Sequence, residues 1–281
     1  MLSAQQLLRY SRQYIINGIG AEGQKKIMNG RVLVIGAGAL GSPAMMYLAG
    51  AGIGTIGIAD FDRVDLSNLQ RQIIHTTDSV GEKKTVSAGA AINRLNPDVN
   101  VITHDFKIDP DNIVSVFSGY DIVIDASDRF VTKMMINDAC IMVGKPLVHA
   151  GAERYFGQIT TIIPGQGPCL RCLLEDNLEE EEEGACARYG ILGPVTGILG
   201  SIQALEVIKY LTGTGRLLAG RILCFDGLTM DFDIAEFSQN PNCSACGQHV
   251  NGDLMEVYRQ MGDNRCSAAT TIRKLRSTAA Q

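Results

Sequence analysis

A glycine-rich turn near the start of the chain is the feature that most constrains its fold. Arg31–Ile35 (RVLVI) is an unbroken apolar run of the kind found in buried parallel strands. It leads directly into Gly36, Gly38 and Gly41, and then into an apolar helix at 43–51. Glycines at this spacing allow a tight turn, a close approach of the backbone to phosphate, and free N–H groups at the start of a helix. The turn therefore predicts a nucleotide-binding loop without identifying the nucleotide.

Strands and helices alternate as far as residue 149. Residues 1–30 are predicted to be helical. The further predicted strands are 54–60, 99–104, 121–125 and 147–149, and the predicted helices are 83–95, 111–117 and 131–143. This alternation is typical of a right-handed, parallel, doubly wound sheet. We therefore expect an α/β fold with a Rossmann-like doubly wound sheet.

The pattern changes after Gly157. Residues 158–163 alternate as an antiparallel strand does, and a helix at 197–211 is followed by strands at 222–226 and 231–237. We expect a mainly parallel sheet with a C-terminal antiparallel extension. Consecutive glutamates at 179–183 predict a solvated loop, because like charges repel, and a loop that becomes ordered over a bound partner is the alternative.

Composition and charge exclude several classes of protein. Of the 281 residues, 46% are apolar and 20% are charged, which is typical of a folded chain rather than a disordered one. The net charge of −5 argues against nucleic acid as a partner. Polar residues within 5–12 argue against a signal peptide, and Pro194 and Gln203 interrupt the longest apolar stretch, 191–205. We predict a cytoplasmic protein with no membrane association.

Four of the eight cysteines form two C-x-x-C pairs, Cys169/Cys172 and Cys243/Cys246. Two such turns supply the four thiolates of a tetrahedral zinc site. Disulfides are the alternative, but they are typical of small secreted proteins. Four sulfur ligands leave no open position for water, so we predict a structural zinc ion rather than a catalytic one.

Charged and amide side chains beyond the second strand indicate how the nucleotide is used. Asp60 follows that strand, at a position where a carboxylate reaches ribose hydroxyls. Asn68, Arg71, Gln72 and Lys84 come next, and fixed cations and amides offset charge on phosphates. For each residue alone, a surface salt bridge is the alternative role. Together the residues favour an enzyme that splits a nucleoside triphosphate over one that transfers hydride.

Taken together, these motifs resemble the ThiF/MoeB/HesA family, prokaryotic relatives of ubiquitin-activating enzymes. The resemblance covers about residues 5–250 and rests on the following motifs: Arg12-Gln13, the glycine turn, D-x-D-x-V-x-x-S-N-L-Q-R-Q from Asp60, G-x-x-K ending at Lys84, Asp128, both C-x-x-C pairs, Gly193-Pro194 and Gln203-Ala204-x-Glu206. It implies an adenylyltransferase that uses ATP and Mg²⁺ to adenylate the C-terminal glycine of a ubiquitin-fold sulfur-carrier protein ending in Gly-Gly, releasing pyrophosphate. The carrier would be similar to MoaD or ThiS and would serve molybdopterin, thiamine or related sulfur-transfer biosynthesis.

The resemblance also implies roles for individual residues. Asp60 and Asp62 would hold the ribose, and Asp128 would bind Mg²⁺. Arg12 would act on the ATP of a neighbouring subunit, which makes a homodimer part of the mechanism; packing on a helix surface is the alternative for this arginine. The full set implied to hold the nucleotide is Gly36, Gly38, Gly41, Asp60, Asp62, Asn68, Arg71, Gln72, Lys84 and Asp128.

Three positions add detail to the resemblance. Cys186 follows the glutamate run, where some family members have a cysteine that forms a covalent link to the carrier; a plain thiol is the alternative. Ala39 stands where the family usually has glycine, and Arg129 stands where asparagine usually follows the metal-binding aspartate. These two departures affect the fine geometry of the site rather than the class of reaction.

Two other functions stay open from the sequence, a nicotinamide-dependent Rossmann oxidoreductase and a non-catalytic scaffold that binds a carrier. The intact 69–72 run and the zinc cysteines disfavour a related branch that dehydrates tRNA. We recognise no rhodanese domain and expect a separate sulfur-donor protein. The predicted organisation is an adenylating domain over 1–250, with N-terminal helices (1–30), a nucleotide-binding core (31–156) and a carrier-binding and zinc part (157–250), followed by a C-terminal extension of unknown role (251–281).

Overall fold

A single sheet runs through the computed structural model, which describes residues 2–174, 190–248 and 253–261. The described strands are β1 (Arg31–Ile35), β2 (Thr55–Ala59), β3 (Asn100–His104), β4 (Ile122–Asp125), β5 (Leu147–Glu153), β6 (Phe156–Ile162), β7 (Arg221–Asp226) and β8 (Asp231–Glu236). Their order across the sheet is β3-β2-β1-β4-β5-β6-β7-β8. The strands from β3 to β5 in this order are parallel, and β6, β7 and β8 are antiparallel. The predicted α/β fold with an antiparallel C-terminal extension is thereby confirmed.

Helices cover both faces of this sheet. Those described are α1 (Ala4–Arg9), α2 (Ser11–Tyr14), α3 (Gly20–Asn29), α4 (Gly41–Ala51), α5 (Lys84–Leu95), α6 (Ile113–Ser118), α7 (Phe130–Val143), α8 (Leu170–Leu174), α9 (Gly193–Thr212) and α10 (Leu254–Met261). Two 3₁₀ turns, Leu66–Asn68 and Thr77–Ser79, lie between β2 and α5. None of these helices has both the length and the apolar character that crossing a bilayer requires.

The core has two layers because successive residues of β1 point to opposite faces of the sheet. Val32 and Val34 belong to the layer that includes residues of α4, α5 and α9, whereas Leu33 and Ile35 belong to the layer formed with α6 and α7. All residues of β2 and β4 are buried. Burial on both faces explains why these strands are continuous apolar runs in the sequence.

Some helices and strands are longer than predicted, because residues next to the predicted segment continue the same structure. Helix α9 begins at Gly193, ahead of the predicted start at 197, because Pro194 fits the first turn of a helix. Strand β5 continues to Glu153, beyond the predicted end at 149, because β6 pairs with it as far as Phe156. The N-terminal segment forms three short helices, and Gly18 has a positive φ of 93° between the second and the third.

A buried tyrosine fixes the N-terminal helices to the core. The hydroxyl of Tyr10 accepts a hydrogen bond from Asn96 Nδ2 at 2.9 Å, and the same nitrogen donates to the Ala49 carbonyl at 2.8 Å. Gly52 has φ +82°, and a Cβ at that position would overlap the Tyr10 ring. Because Tyr10 directly precedes α2, the helix that carries Arg12 is held at a defined place on the surface.

Candidate nucleotide site and cysteine cluster

A cavity of about 440 Å³ lies at the carboxyl ends of β1, β2 and β4. Strand β1 lies between the other two, so the connections that leave these strands diverge at this point. In open α/β sheets, ligands bind where the strand order reverses in this way. Residues predicted to hold the nucleotide that line the cavity are Gly36, Gly38, Asp60, Asp62, Arg71, Gln72, Lys84 and Asp128.

The glycines of the turn are required for different structural reasons. Gly36 has φ +99°, a conformation that favours glycine. A Cβ on Gly41 would overlap the Gly36 oxygen, so Gly41 allows the turn to close rather than lining the cavity. Gly38 does line the cavity, and a Cβ there would come no closer than 3.6 Å to Gln72 Nε2. Ala39, at the position that differs from the family pattern, is not among the residues with positive φ, so a side chain causes no strain there.

The carboxylate of Asp60 ties the glycine turn to the segment after β2. Its Oδ2 accepts a hydrogen bond from the Ala37 N–H at 2.8 Å, and its Oδ1 accepts one from the Asp62 N–H at 2.8 Å. Each carboxylate oxygen has a second lone pair. Asp60 can therefore hold the turn in place and still accept hydrogen bonds from ribose hydroxyls at the cavity wall.

Cationic side chains line the same cavity. Lys84 Nζ donates to Asp62 Oδ2 at 2.8 Å, and the lysine side chain is 8% exposed. Arg71 is half-buried and donates from Nη1 to the Ser67 carbonyl at 3.1 Å. Further cations in the wall are Lys107, Arg129 and Lys133. The wall also contains carboxylates, Asp60, Asp62, Asp128 and Glu153. Cations and carboxylates in one wall suit a ligand that combines phosphates with hydroxyl groups or a bound cation.

A buried ionic cluster supports the turn that carries Asp128. Asp125 Oδ2 accepts hydrogen bonds from His149 Nδ1 at 2.7 Å and Lys133 Nζ at 3.3 Å, and Oδ1 accepts from the N–H and hydroxyl of Ser127 at 3.0 and 2.6 Å. Burial alone would raise the pKa of Asp125, but the Lys133 ammonium, the His149 ring and the Ser127 hydroxyl together hold it well below its usual range. The ionised Asp125 fixes the turn after β4 and thereby the position of Asp128 in the wall.

Gln72 contributes a buried amide to the cavity wall. Its Oε1 has no hydrogen-bond partner among the residues that the structure describes. A buried polar atom left without a partner costs roughly 1–3 kcal/mol. A small rotation of the side chain would present this oxygen to a donor on a bound ligand, so the wall fits a ligand with hydroxyl or amino groups.

Other predicted residues lie outside the wall of this cavity. Arg12 is exposed on α2 and does not line the cavity in its own chain. Asn68 is the last residue of the turn Leu66–Asn68, and its Oδ1 accepts a hydrogen bond from the Asp65 N–H at 3.1 Å. It therefore shapes the segment that leads to Arg71. Cys186 and the glutamate run lie outside the described residues.

Some wall residues were not predicted from the sequence. Phe61, Phe106 and Ile108 form apolar parts of the wall, and Lys107 adds a charge beside them. Phe61 is a variable position of the motif that begins at Asp60, and the other three residues belong to no motif. Their position shortly after a parallel strand is the signal that could have identified them, because such strand ends meet at one edge of the sheet. Apolar and aromatic surface next to polar groups is typical of a site for a flat ring system such as a purine.

The two C-x-x-C pairs come together in space. Their four sulfur atoms all lie within 4.8 Å of one another, with Cys169 Sγ 3.6 Å from Cys243 Sγ and Cys172 Sγ 3.4 Å from Cys246 Sγ. Four sulfurs on one zinc ion lie about 3.8 Å apart, whereas disulfide-bonded sulfurs lie about 2 Å apart. Hydrogen bonding to Cys169 lowers the pKa of Cys243, whereas the bond with Cys243 raises the pKa of Cys169 and burial raises that of Cys246. The donor set fits a tetrahedral zinc ion, and its sulfurs are too far apart for two disulfides.

A buried ion pair joins the cysteine cluster to two helices. Arg171 lies between the first two cysteines and donates to Asp138 of α7 from Nε at 2.9 Å and from Nη2 at 2.7 Å. The hydroxyl of Tyr258, on α10, also donates to Asp138, at 2.5 Å. Helix α10, which lies in the predicted C-terminal extension, is therefore packed against the folded unit that holds the cysteines.

The chain is similar to known proteins over most of its length. It is 44% identical over 247 residues to the SAMP-activating enzyme E1 of Haloferax volcanii, a match that covers 88% of this chain and 91% of that protein. It is 40% identical over 271 residues to the adenylyltransferase and sulfurtransferase MOCS3 of Aedes aegypti, covering 96% of this chain and 61% of that protein. The chain thus spans about three fifths of the length of the MOCS3 relatives it matches.

Solved structures and a family model agree with these relatives. Escherichia coli MccB has a similar fold, with a TM-score of 0.76 at 24% identity over 85% of this chain and 75% of that one. The sequence model of the ThiF family matches residues 10–245. The chain therefore belongs to the ThiF family of E1-like adenylyltransferases.

Proposed function

We propose that this adenylyltransferase transfers AMP from ATP to the C-terminal glycine of a ubiquitin-fold sulfur-carrier protein that ends in Gly-Gly. The observation that carries the proposal is the presence of the glycine turn, Arg71 and Lys84 in the wall of one cavity. The names of the relatives support the same class of reaction, since one is a SAMP-activating enzyme and another an adenylyltransferase and sulfurtransferase.

The proposed reaction requires the enzyme mainly to offset negative charge and to position the carrier carboxylate next to the α-phosphate. A terminal carboxylate is ionised at neutral pH, so an oxygen atom of the carrier can attack the α-phosphorus without a general base. A bond forms between that oxygen and the α-phosphorus, and the bond from the α-phosphorus to the oxygen that bridges to the β-phosphate breaks. Pyrophosphate leaves with the electron pair, and the carrier acyl-adenylate remains. Because two anionic groups must meet, the enzyme has to offset charge and hold them in line.

Each predicted residue in the wall has a role in this proposal. Asp60 and Asp62 accept hydrogen bonds from the ribose, and Arg71 and Lys84 offset charge on the phosphates. Asp128 is the carboxylate that would hold Mg²⁺. When bound, Mg²⁺ would neutralise part of the triphosphate charge. Gln72 and the N–H groups of the glycine turn complete the polar wall.

Arg12 is proposed to act in the neighbouring subunit of a homodimer. It is exposed and lies away from the cavity of its own chain, and Tyr10 fixes the helix that carries it. An arginine held rigidly on the surface can supply a guanidinium to a second chain. Independently of Arg12, apolar side chains exposed on α9 and β8, including Leu205, Phe232 and Ile234, support the presence of a protein partner on the surface of these two elements.

The cysteine cluster is proposed to hold a structural zinc ion. Its four thiols would complete the coordination sphere and leave no site for a reacting water. Reduced thiols of this kind suit the cytoplasm. A covalent role for Cys186, a separate sulfur donor, and service to molybdopterin or thiamine biosynthesis stay predictions.

Carrier-dependent exchange of labelled pyrophosphate into ATP tests the proposal. We expect exchange with a cognate carrier ending in Gly-Gly and none with the same carrier lacking its last glycine. The absence of exchange with every MoaD-like and ThiS-like carrier tried would contradict adenylation. In parallel, titration with NADH and with ATP·Mg²⁺ separates this function from a nicotinamide-dependent oxidoreductase, and full cellular function of Arg71→Ala would favour a non-catalytic scaffold.

A further inference from the structure

His75 connects two elements of the nucleotide cavity without lining it. The residue is 5% exposed and follows the segment that carries Arg71 and Gln72. Its Nε2 lies 2.9 Å from the carbonyl oxygen of Ala37, in the glycine turn. Its Nδ1 lies 2.9 Å from the hydroxyl oxygen of Ser87, on α5. One imidazole ring therefore joins the turn to the helix that begins at Lys84.

The chemistry of these two contacts fixes the proton on the ring. A carbonyl oxygen can only accept a hydrogen bond, so Nε2 must carry the hydrogen. In the neutral ring Nδ1 is then an acceptor, and the Ser87 hydroxyl donates to it. Burial lowers the pKa of His75 and outweighs the hydrogen bond to Ala37, which raises it, so this neutral form is favoured at pH 7.

The backbone of Ala37 is held on both sides, through the peptide group before this residue and the peptide group after it. Its N–H donates to Asp60 Oδ2 at 2.8 Å, and its carbonyl accepts from His75. Because the Ala37 carbonyl and the Gly38 N–H share one planar peptide group, the contact with His75 sets the direction of that N–H. None of the N–H groups of Gly38–Leu40 has a protein acceptor in the part of the chain that the structure describes. Unpaired N–H groups before a helix are suited to bind phosphate.

The second contact of His75, with Ser87, lies one helical turn from Lys84. Lys84 is the first residue of α5, and the Ser87 N–H donates to the Lys83 carbonyl at 3.0 Å, so the two side chains belong to the same rigid turn. The geometry points to His75 as a positioning residue that fixes the distance between the phosphate-binding N–H groups of the glycine turn and the Lys84 ammonium. This inference rests on the proposed use of ATP.

A pair of amide variants tests the inference. In His75→Gln, the longer side chain can place its amide nitrogen where Nε2 lies and keep the hydrogen bond to Ala37. In His75→Asn, the shorter amide can reach Ser87 but not Ala37. The measurements are the Kd of a non-hydrolysable ATP analogue with Mg²⁺, the KM for ATP and for the carrier in pyrophosphate exchange, and the Tm of each protein.

We expect His75→Asn to raise the Kd and the KM for ATP about 10-fold, as the loss of a preorganised hydrogen bond would, with the KM for the carrier unchanged. His75→Gln should restore both values to within about 3-fold of the wild type. Thr161→Val is the matched control, because it removes a buried hydrogen bond to Glu206 at a residue outside the cavity wall, and it should lower Tm without changing ATP affinity.

The outcomes separate this inference from the function on which it rests. Wild-type protein that binds no ATP analogue would overturn the proposed function and the inference with it. Wild-type binding together with unchanged affinity in a folded His75→Asn protein, or equal defects in the Gln and Asn variants, would overturn the inference alone. If His75→Asn fails to fold, Ser87→Ala serves in its place, with a rise in Kd of about 3-fold expected and an unchanged Kd overturning the inference.

Discussion

The ammonium group of Lys84 donates a hydrogen bond to the carboxylate of Asp62 across 2.8 Å, and the two side chains differ sharply in exposure. Lys84 is 8% exposed and Asp62 is 51% exposed. The lysine is therefore held in the wall, while its partner faces the open side of the cavity. A phosphate that reaches Lys84 finds the ammonium already oriented, which is the condition for an effective electrostatic contribution to catalysis.

Lys84→Ala should lower the rate of pyrophosphate exchange by about 10²–10³, because a preorganised cation at the phosphates is lost. Lys83→Ala is the matched control, since Lys83 pairs with Asp105 on the surface and does not line the cavity. We expect it to keep nearly full activity. Equal losses in the two variants would show that Lys84 has no specific role at the phosphates.

Arg12→Ala and Lys84→Ala should each be inactive alone and should complement each other when the two chains are mixed and allowed to exchange subunits. If Arg12 acts across a dimer, half of the random dimers are mixed and each has one complete site, so about a quarter of the wild-type exchange rate should return. The same mixture without subunit exchange is the control. No recovery in verified mixed dimers would place Arg12 in its own subunit or outside catalysis.

Cys243→Ser should abolish stoichiometric zinc binding and lower Tm by about 5–10 °C, because metal binding contributes directly to the stability of the fold. Cys224→Ser, at a half-buried cysteine outside the cluster, should keep the metal and most of the stability. Zinc content by elemental analysis and thermal unfolding provide the two measurements. A fully stable, metal-free wild-type protein would argue against a structural metal.

The stability of the fold should decrease as the pH falls below about 6.5, the usual pKa of histidine. Burial lowers the pKa of both His75 and His149, so the unfolded chain takes up protons near that pH while the folded chain does not. Stability is then complete above the unfolded pKa and is lost toward lower pH, by up to about 1.4 kcal/mol per pH unit for each histidine. Urea unfolding at pH 7.5 and 5.5 measures this difference. A His75→Gln protein should show a shallower slope, and an unchanged slope would contradict the assignment to this ring.

The site residues that lie at the ends of strands or the starts of helices could be predicted from the sequence. The glycine turn, Asp60 and Lys84 follow or begin regular elements, so their arrival at one edge of a parallel sheet could be inferred. The cysteine cluster was predictable because two short turns with the same spacing have few other uses. Lys133 reaches the cavity from α7 through tertiary packing, which explains why no motif indicated it.

Other contacts could not be predicted because one residue type can either bind a ligand or form hydrogen bonds within the fold. The role of Asn68 at the phosphates stays a prediction, and the sequence did not indicate that its side-chain oxygen accepts the Asp65 N–H in a 3₁₀ turn. His75 gave no signal, since a single histidine in an apolar segment is not a motif. Strand β5 extends past its predicted end because β6 supplies hydrogen-bond partners that the local sequence does not reveal.

Helix α7 carries one residue of each of two buried ion pairs, one pair beneath the nucleotide cavity and the other beside the cysteine cluster. Near its start, Lys133 binds Asp125 under the nucleotide cavity, and farther along, Asp138 binds Arg171 beside the cysteines. Because one helix carries a residue of each pair, a shift of the helix at one ion pair also moves the other. If the cysteine cluster holds a metal ion, gradual extraction of that ion should therefore weaken ATP affinity before the protein unfolds, and nucleotide binding would report on the state of the cysteine cluster.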